Sequence, residues 1–510
     1  MVSWSTHQET IFNWLVNGTG SAIIEAVAGS GKTTTIVECA KRLPSGVSAV
    51  FVCFNRSVKE ELAMRLADTM VRAMTLNGLG FTTWRKHLGD KGKRLQVDGN
   101  KSREILRAML INDQQLFTLT ASAVCKMVGL AKSIGLVPAG ITGRYYALTQ
   151  DTEQVWLDMI SWYDIEFDDS ITPAEVIRLA RMVLTQSIQQ ADSWIDFDDQ
   201  LYMPVIARAR FWRNDYLFVD EAQDINHIQR EMLRMALNTN GRLIAVGDPH
   251  QAIYGFRGAD TKSLGNIGRE FSAVRLPLTV SYRCPQAVVA EAHKFVSHIQ
   301  AAPSAPMGTV ETLSKYTAKD FTASDAILCR NTGPLVSMAF ALIGRGVGCR
   351  VLGREIGQGL IALVDKMKAK TLDGLDEKLD AYLQRETAKY LAKNQEAKAD
   401  QLNDKVATIR VFMGQLVETR RTIGALKDSI EALFSDNGKG LLTLCTIHKA
   451  KGLEWPTVYI LDANLMPSKW ARQDWQLEQE TNLQYVAVTR AKATLRYIYS
   501  DGIRDETKAA

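Results

Sequence analysis

The chain has 510 residues, of which 46% are hydrophobic and 23% are charged, a balance typical of a globular protein with enough apolar material for several cores. Its formal net charge of +5 permits a polyanionic partner without requiring one. The seven cysteines are scattered and include no Cys-x-x-Cys pair, which favours reduced thiols over a zinc or iron–sulfur site. The first residues show no signal peptide and no apolar run is long enough to span a membrane, so composition predicts a soluble, cytoplasmic protein of several domains.

Strands that alternate with helices follow one another along the first part of the chain. A helix is predicted at 8–15 and a buried strand at 22–26, which runs into a glycine-rich loop and a second helix. A strand at 49–54 again leads into an amphipathic helix. After a long segment of helical periodicity, strands resume at 216–219 and 243–246. This alternation predicts a parallel, doubly wound sheet interrupted by a helical insertion.

The second half repeats this organisation. Strands are predicted near 326–329, 441–445 and 458–461. Between the first two, a charged helical segment carries two stripes of apolar residues at helical spacing, which are predicted to pack in a core. The stripes consist of Leu372, Leu375, Leu379 and Leu383, and of Val406, Ile409, Phe412 and Leu416. The sequence therefore predicts a second α/β sheet with its own helical insertion.

A glycine-rich loop joins the first strand to its helix. Gly29 and Gly31 let successive backbone N–H groups turn toward one anion, and the helix N-terminus adds a favourable dipole. Lys32 can reach the β- and γ-phosphates of a nucleotide, and the Thr33 hydroxyl can bind Mg²⁺. Ala26 stands where the strict phosphate-loop pattern has glycine. Taken alone, the loop predicts only that a nucleotide phosphate is bound.

Polar and aromatic residues follow two later strands. Asp220 lies at the carboxyl end of a strand, where such sheets bind ligands, and could hold Mg²⁺, while Glu221 could polarise an attacking water. An acidic helix N-terminus explains the same pair equally well. After the next strand, Gln251 would lie near the γ-phosphate. Tyr254 and Phe256 lie on a glycine-punctuated loop suited to stacking on bases.

Together with three segments of the second half, these motifs resemble motifs I to VI of the UvrD/Rep/PcrA helicases of superfamily 1A. Gln8 stands where that family keeps its adenine-reading glutamine, and the family shares the alanine at position 26. Segments 54–57 and 482–488 are similar to the F-box DNA helicase branch, although no F-box is evident. The six motifs match residues 26–33, 220–224, 247–254, 281–284, 446–455 and 485–491, in the family's order.

The resemblance implies an α/β fold of two RecA-like P-loop domains with parallel sheets, each carrying an inserted helical subdomain. We expect the first RecA-like domain at residues 1–84 and 191–276, with its helical insertion at 85–190. We expect the second at residues 277–355 and 437–510, with a reduced helical insertion at 356–436.

The resemblance also implies that ATP and Mg²⁺ bind between the two domains. Thr33 and Asp220 would hold the metal, Tyr282 would stack on adenine, and Glu454 would contact the ribose. The residues implied to bind the nucleotide are Gln8, Ala28, Gly29, Ser30, Gly31, Lys32, Thr33, Thr34, Tyr282, Arg283, Glu454 and Arg490. The implied catalytic residues are Lys32, Asp220, Glu221, Gln251, Arg283 and Arg490, the two arginines stabilising charge on the transferred phosphoryl group.

Single-stranded DNA would cross both domains, and its implied contacts are Phe54, Asn55, Asn77, Tyr254, Phe256, Arg257, Thr446 and His448. Asn77 lies in a Thr-Leu-Asn-Gly segment where relatives have Thr-Phe-His-Ser, and Phe256 replaces a tryptophan but keeps a stacking face. A basic stretch is predicted to form a solvated helical face, with contact to duplex phosphates as the alternative. The stretch comprises Lys86, Lys91, Lys93, Arg94, Lys101, Arg103 and Arg107.

The sequence therefore predicts an ATP-dependent helicase that moves 3′→5′ along single-stranded DNA and unwinds duplex DNA at single-strand/duplex junctions. We expect a monomer without membrane contact, in the cytoplasm and associated with the nucleoid, and a phage-encoded form is compatible. DNA repair, DNA replication and its restart, and the control of recombination all stay open as its pathway. A translocase that displaces bound proteins with little unwinding stays open. A non-enzymatic DNA-binding scaffold is the third hypothesis. Four residues argue against it: Lys32, Glu221, Gln251 and Arg490.

Overall fold

The structure is a computed structural model that describes residues 4–141, 143–163, 165, 167–168, 170–253, 262–392, 396–417, 421–434, 441–469, 471 and 473–504. Its contacts divide the chain into two units. The first comprises Met1–Ala26 and Gly31–Leu278, and the second comprises Val27–Ser30 and Thr279–Ala510. Within the described ranges, none of the helices is long and apolar enough to cross a membrane.

The first unit is built on a parallel six-stranded sheet, ordered β3-β2-β6-β7-β1-β8, and β4 and β5 pair separately. Its strands are β1 (Ala22–Ala26), β2 (Ala49–Cys53), β3 (Arg72–Thr75), β4 (Gln96–Val97), β5 (Trp194–Ile195), β6 (Asn214–Val219), β7 (Leu237–Gly247) and β8 (Val274–Leu278). The strand predicted at 243–246 begins earlier, at Leu237. Strands β1 and β2 are apolar and buried because helices cover both faces of a parallel sheet.

Eleven α-helices of the first unit lie in the described residues. They are α1 (Thr6–Asn17), α2 (Lys32–Lys41), α3 (Arg56–Arg65), α4 (Leu76–Leu88), α5 (Lys101–Met109), α6 (Gln114–Ser133), α7 (Glu153–Trp162), α8 (Pro173–Gln189), α9 (Asp199–Ile206), α10 (His227–Met235) and α11 (Ser263–Glu270). Helices α5 to α8 follow β3 and precede β6 in the chain, and they pack around buried side chains such as Leu106, Val124 and Trp156.

The second unit also contains a parallel six-stranded sheet, ordered β11-β16-β15-β12-β14-β13, and β9 pairs with β10. Its strands are β9 (Val280–Ser281), β10 (Gln300–Ala301), β11 (Thr309–Leu313), β12 (Ala326–Cys329), β13 (Cys349–Val351), β14 (Leu442–Thr446), β15 (Trp455–Leu461) and β16 (Ala491–Ile498). The predicted α/β class with parallel sheets is confirmed.

The helices of the second unit include a group between β13 and β14 in the chain. The described helices are α12 (Gln286–Ala292), α13 (Thr332–Ile343), α14 (Arg354–Met367), α15 (Leu372–Ala392), α16 (Glu396–Gln415), α17 (Ile423–Leu433), α18 (Ile447–Ala450) and α19 (Asp474–Val488). Both predicted apolar stripes pack in one core, in which Leu375, Leu379, Ile409 and Phe412 are fully buried. The prediction of helix packing for these stripes is confirmed.

The basic stretch of the first unit is not uniformly solvated, and for Lys101 the prediction is wrong. Lys101 is fully buried, and its ammonium group donates to Asp199 Oδ2 and to the Ser187 carbonyl, each at 2.7 Å. With Lys132 and Asp196 these residues form a lysine–aspartate cluster (Lys101, Lys132, Asp196 and Asp199). Lys101 turns inward because two carboxylates there compensate its charge.

Candidate active site

The loop between β1 and α2 has the backbone geometry of an anion-binding site. Gly29 and Gly31 have φ values of +71° and +77°, in the left-handed region that favours glycine. Gly31 caps α2 without a side-chain hydrogen bond, which leaves the helix's first N–H groups to an incoming acceptor. The hydroxyl of Ser30 is fully buried and has no hydrogen-bond partner among the described residues. A phosphate oxygen would satisfy these donors.

Side chains from α2 and from the end of β6 converge in the first unit. The Thr33 hydroxyl donates to Asp220 Oδ2 at 2.7 Å, and Lys32 Nζ lies 3.7 Å from Glu221 Oε1. Glu221 has a φ of 53°, a left-handed conformation that costs a residue with a side chain about 1–3 kcal/mol. Such strain is typical of functional sites, and here it accompanies the predicted water-activating carboxylate.

Acidic residues dominate this site, of which Asp220 and Asp248 are buried and Glu221 is half-buried. We call Asp220, Glu221 and Asp248 the acidic cluster. The pKa of Asp220 is raised to about 6, mainly by burial and in addition by the neighbouring Glu221, against the opposing effects of Lys32 and Thr33. Burial also raises the pKa of Asp248. Oxygen ligands that hold protons this tightly are poised to exchange them for a divalent cation, and Mg²⁺ prefers such ligands.

Glutamine side chains tie the ends of β6 and β7 together. Gln251 Nε2 donates to Asp248 Oδ2 at 2.6 Å, and Gln223 Nε2 donates to Glu221 Oε2 at 2.5 Å. The carbonyl oxygen of the Gln223 side chain accepts the backbone N–H of Asp248 at 3.1 Å. Gln223 and Asp248 lie inside the motifs described above, but sequence reasoning gave neither of them a role.

Two further predicted nucleotide contacts of this unit form internal hydrogen bonds. Gln8 Nε2 donates to Thr35 Oγ1 at 3.0 Å, and its Oε1 accepts the backbone N–H of Ser5 at 2.9 Å, which caps α1. Thr34 Oγ1 accepts a hydrogen bond from Arg65 at 2.9 Å. Gln8 therefore joins α1 to the first turn of α2, and its contact with adenine stays a prediction.

The second unit gathers the predicted residues of motifs IV to VI. Arg283 Nε donates to Glu454 Oε2 at 2.6 Å, and Lys492 binds the other oxygen of that carboxylate at 2.9 Å. Burial would raise the pKa of Glu454, but these two cations hold it below its ordinary value. Arg490 is buried and donates from Nε to the Val486 carbonyl at 2.9 Å.

Val27–Ser30 belong to this second unit by their contacts. The Gly29 carbonyl accepts the backbone N–H of Tyr282 at 2.8 Å, and the backbone N–H of Ala28 donates to the Tyr485 hydroxyl at 2.8 Å. The Tyr282 side chain is 49% exposed, which leaves its ring accessible.

The described DNA candidates have structural contacts, and their DNA contacts stay predictions. Asn55 caps α3 by accepting the Val58 N–H at 2.9 Å. Asn77 Nδ2 donates to the Phe197 carbonyl at 2.8 Å and to Gln200 at 3.0 Å. Phe54 and His448 are half-buried and Thr446 is buried. Tyr254, Phe256 and Arg257 lie outside the described residues.

Comparison with known proteins gives matches in both units. The model of the UvrD/REP helicase N-terminal domain matches residues 4–272, and that of the UvrD-like helicase C-terminal domain matches residues 362–502. The chain is 23% identical to F-box DNA helicase protein 1 of Schizosaccharomyces pombe, over 92% of this chain and 55% of that protein.

Bacterial helicases are also similar to the chain. It is 23% identical to the ATP-dependent DNA helicase Rep of Escherichia coli over 55% of this chain and 42% of Rep. It is 22% identical to the ATP-dependent DNA helicase UvrD1 of Mycobacterium tuberculosis over 60% of this chain and 58% of UvrD1. The chain spans about half the length of the curated relatives that it matches.

Proposed function

Because the chain belongs to the UvrD/REP helicase family, we propose that it is an ATP-dependent DNA helicase that moves along single-stranded DNA. The observation that carries this proposal is the convergence of Lys32 and Thr33 with Asp220 and Glu221 beside a glycine loop. A cation, a hydroxyl and two carboxylates in this arrangement suit the hydrolysis of a nucleoside triphosphate.

We assign a role in hydrolysis to each residue of this group. The Thr33 hydroxyl and the Asp220 carboxylate would hold Mg²⁺, which supplies charge neutralisation at the phosphates. Lys32 would bind the terminal phosphates, and Glu221 would orient and deprotonate the attacking water. Gln251 would couple binding of the γ-phosphate to the rest of the first unit through Asp248, to which it is hydrogen-bonded.

We further propose that ATP completes its site with residues of the second unit. Arg283 and Arg490 would stabilise charge on the transferred phosphoryl group, and the exposed ring of Tyr282 would stack on adenine. Glu454, which binds Arg283, would contact the ribose. We assign residues 1–84 and 191–276 to the first RecA-like domain, with a helical insertion at 85–190. We assign residues 277–355 and 437–510 to the second RecA-like domain, with a helical insertion at 356–436.

We propose movement in the 3′→5′ direction on single-stranded DNA, action at single-strand/duplex junctions, and a monomeric cytoplasmic protein. These points rest on the family, whose relatives carry the name of ATP-dependent DNA helicase. Translocation with little unwinding would use the same residues. Only an experiment distinguishes it from unwinding.

ATP hydrolysis with and without single-stranded DNA tests the enzymatic proposal. We expect the DNA to stimulate hydrolysis by the wild type, and Lys32→Ala to abolish it. Lys41→Ala is the matched control, because Lys41 is an exposed lysine of the same helix, α2. Binding of DNA without stimulated hydrolysis by the wild type would favour the scaffold.

Strand displacement on tailed duplexes tests the finer points, with oligomeric state measured by light scattering in the same buffer. We expect unwinding from a 3′ tail by the monomer. Unwinding only from a 5′ tail would overturn the polarity. Removal of streptavidin from biotinylated single strands without duplex separation would identify the translocase instead.

A further inference from the structure

A small pocket lies at the edge of the first sheet that is opposite to the candidate active site. It has a volume of about 140 Å³ and is lined by Ala49, Arg72 and Asn214, each the first residue of its strand. Asp220 follows the last residue of β6. Because the strands are parallel, the pocket lies at their amino ends and the acidic cluster at their carboxyl ends.

Cations without acidic partners surround the opening of this pocket. Arg72, Lys86 and Arg210 are exposed, and within the described part of the chain none of their side chains forms an ion pair or a hydrogen bond. Lys91, by contrast, lies 2.9 Å from Asp192. The rim therefore carries positive charge that the unit itself does not neutralise.

An aromatic side chain stands among these cations. Trp212 is 62% exposed although it is large and apolar. The Arg72 guanidinium lies 5.4 Å and the Lys86 ammonium 5.9 Å from the centre of its ring. Cation–π contacts of this kind hold the cations beside the opening. Exposed tryptophan and arginine are also the residues that dominate the energy of protein–protein contacts.

The floor of the pocket is apolar. Val50 and Leu79 contribute to it, and two of the polar side chains that line the pocket form hydrogen bonds inside the protein. Thr83 Oγ1 donates to the Leu79 carbonyl at 2.9 Å, and Asn214 Nδ2 donates to the Trp212 carbonyl at 3.0 Å. The polar edge of a nucleic-acid base would find few hydrogen-bond partners there, whereas an apolar side chain has no hydrogen bonds to lose on burial.

We propose that this pocket binds an acidic peptide segment of a partner protein, which inserts one apolar side chain between Trp212 and the floor. Carboxylates that flank the inserted residue would pair with Arg72, Lys86 and Arg210. The volume is well below the roughly 300 Å³ at which small-molecule sites begin, and it suits one large side chain. The proposal does not rest on ATP hydrolysis, because the pocket shares no residue with the acidic cluster.

Fluorescence anisotropy with the full-length chain and synthetic peptides tests this proposal. The probe is a short labelled peptide of aspartate and glutamate around one leucine; a second peptide has alanine in place of the leucine, and a third has asparagine and glutamine in place of the acids. We expect the first peptide to bind, more weakly as salt is added, and the other two to bind at least about tenfold more weakly.

Variants connect that binding to the pocket. We expect Trp212→Ala and Arg210→Glu each to weaken binding of the leucine peptide about tenfold while DNA-stimulated ATP hydrolysis is retained. Lys370→Glu is the control, because it makes the same charge change at an exposed residue of the second unit. Retained hydrolysis also shows that the variants are folded.

Three results would overturn the proposal. One is equal binding of the leucine and alanine peptides, because the cavity would then play no part. Another is that Trp212→Ala and Arg210→Glu bind the leucine peptide as tightly as Lys370→Glu does. The third is loss of duplex or single-stranded DNA binding in the two pocket variants without loss of peptide binding, which would make the patch a nucleic-acid contact.

Discussion

Two clusters of buried carboxylates lie in the first unit, and they differ in how their charge is balanced. In the lysine–aspartate cluster, Lys132 Nζ lies 2.5 Å from Asp196 Oδ2 and 2.8 Å from Asp199 Oδ1, and Lys101 lies 2.7 Å from Asp199 Oδ2. Burial would raise the pKa of Asp199, but Lys132 and Lys101 hold it below its ordinary value. Asp196 and Asp199 are therefore already paired with cations of the chain, whereas burial raises the pKa of the neighbouring Asp198 to about 6.

In the acidic cluster, cations of the chain balance less of the negative charge. Lys32 faces Asp220, Glu221 and Asp248, and the pKa values of the two aspartates are raised by burial. A buried negative charge that the chain leaves partly uncompensated favours a bound cation. Burial of carboxylates therefore does not by itself mark a functional site. The balance of charge distinguishes the lysine–aspartate cluster from the acidic cluster, to which we assign catalysis.

A large effect on activity is expected at Glu221. Glu221→Gln keeps the shape of the side chain but removes its ability to accept a proton, so ATP turnover with saturating single-stranded DNA should fall by about 10²–10⁴. Glu61→Gln, at an exposed residue of α3, is the control. Turnover near that of the wild type would show that Glu221 is not the base.

The largest effect on stability is expected in the lysine–aspartate cluster. Asp199→Asn leaves two buried lysines with one carboxylate, and we expect the free energy of unfolding in urea to fall by about 3–5 kcal/mol. Asp192→Asn, at an exposed ion pair of the same unit, is the control. A loss as small as that of the control would contradict the structural role of the cluster.

The same substitution should have the opposite sign in the acidic cluster. The pKa of Asp220 is about 6 in the folded protein and near 3.8 when unfolded, so its carboxylate destabilises the fold progressively as the pH rises from about 4 to about 6. Asp220→Asn should therefore raise the free energy of unfolding by about 1–3 kcal/mol at neutral pH without Mg²⁺, and abolish ATP hydrolysis. Equal destabilisation by Asp199→Asn and Asp220→Asn would break the comparison.

Protonation of Asp220 should also compete with Mg²⁺. Below the pKa of about 6 the carboxyl group holds its proton, so the Mg²⁺ concentration needed for half-maximal ATP hydrolysis should rise up to about tenfold per pH unit. Measurement of that concentration at several pH values in the wild type checks this. A constant requirement for Mg²⁺ between pH 5 and 7, on the order of one unit to either side of this pKa, would remove Asp220 from the metal site.

Sequence patterns identified residues of the acidic cluster but not the lysine–aspartate cluster. Asp220 and Glu221 could be identified because they are adjacent and follow a buried strand, whose carboxyl end is the ligand-binding edge. The parallel sheets followed from the alternation of strands and helices, but their strand order depends on long-range pairing that no local pattern contains. The short strands β4 and β5 are too brief to show any periodicity.

The lysine–aspartate cluster had no such signal. Lys101 and Asp199 are 98 positions apart, and Lys101 begins a helix inside a run of exposed basic residues. Only tertiary packing distinguishes it from Lys91 in the same run. The left-handed backbone of Glu221 and the link from Gln223 to Asp248 likewise depend on contacts that the local sequence does not specify.

The smallest effect is expected at Lys91, which sharpens the comparison within a single run of basic residues. Lys91 Nζ lies 2.9 Å from Asp192 Oδ2, close to the distance between Lys101 and Asp199, but the side chains of Lys91 and Asp192 are 70% and 42% exposed. Water screens the attraction within an exposed ion pair and solvates the partner that remains when the pair is broken. Lys91→Ala should therefore change the free energy of unfolding by less than about 1 kcal/mol. Lys101→Ala should cost about 3–5 kcal/mol, because it strips a buried carboxylate of its partner. If urea unfolding showed similar losses of unfolding free energy in the two variants, burial would not determine how much these ion pairs contribute to stability.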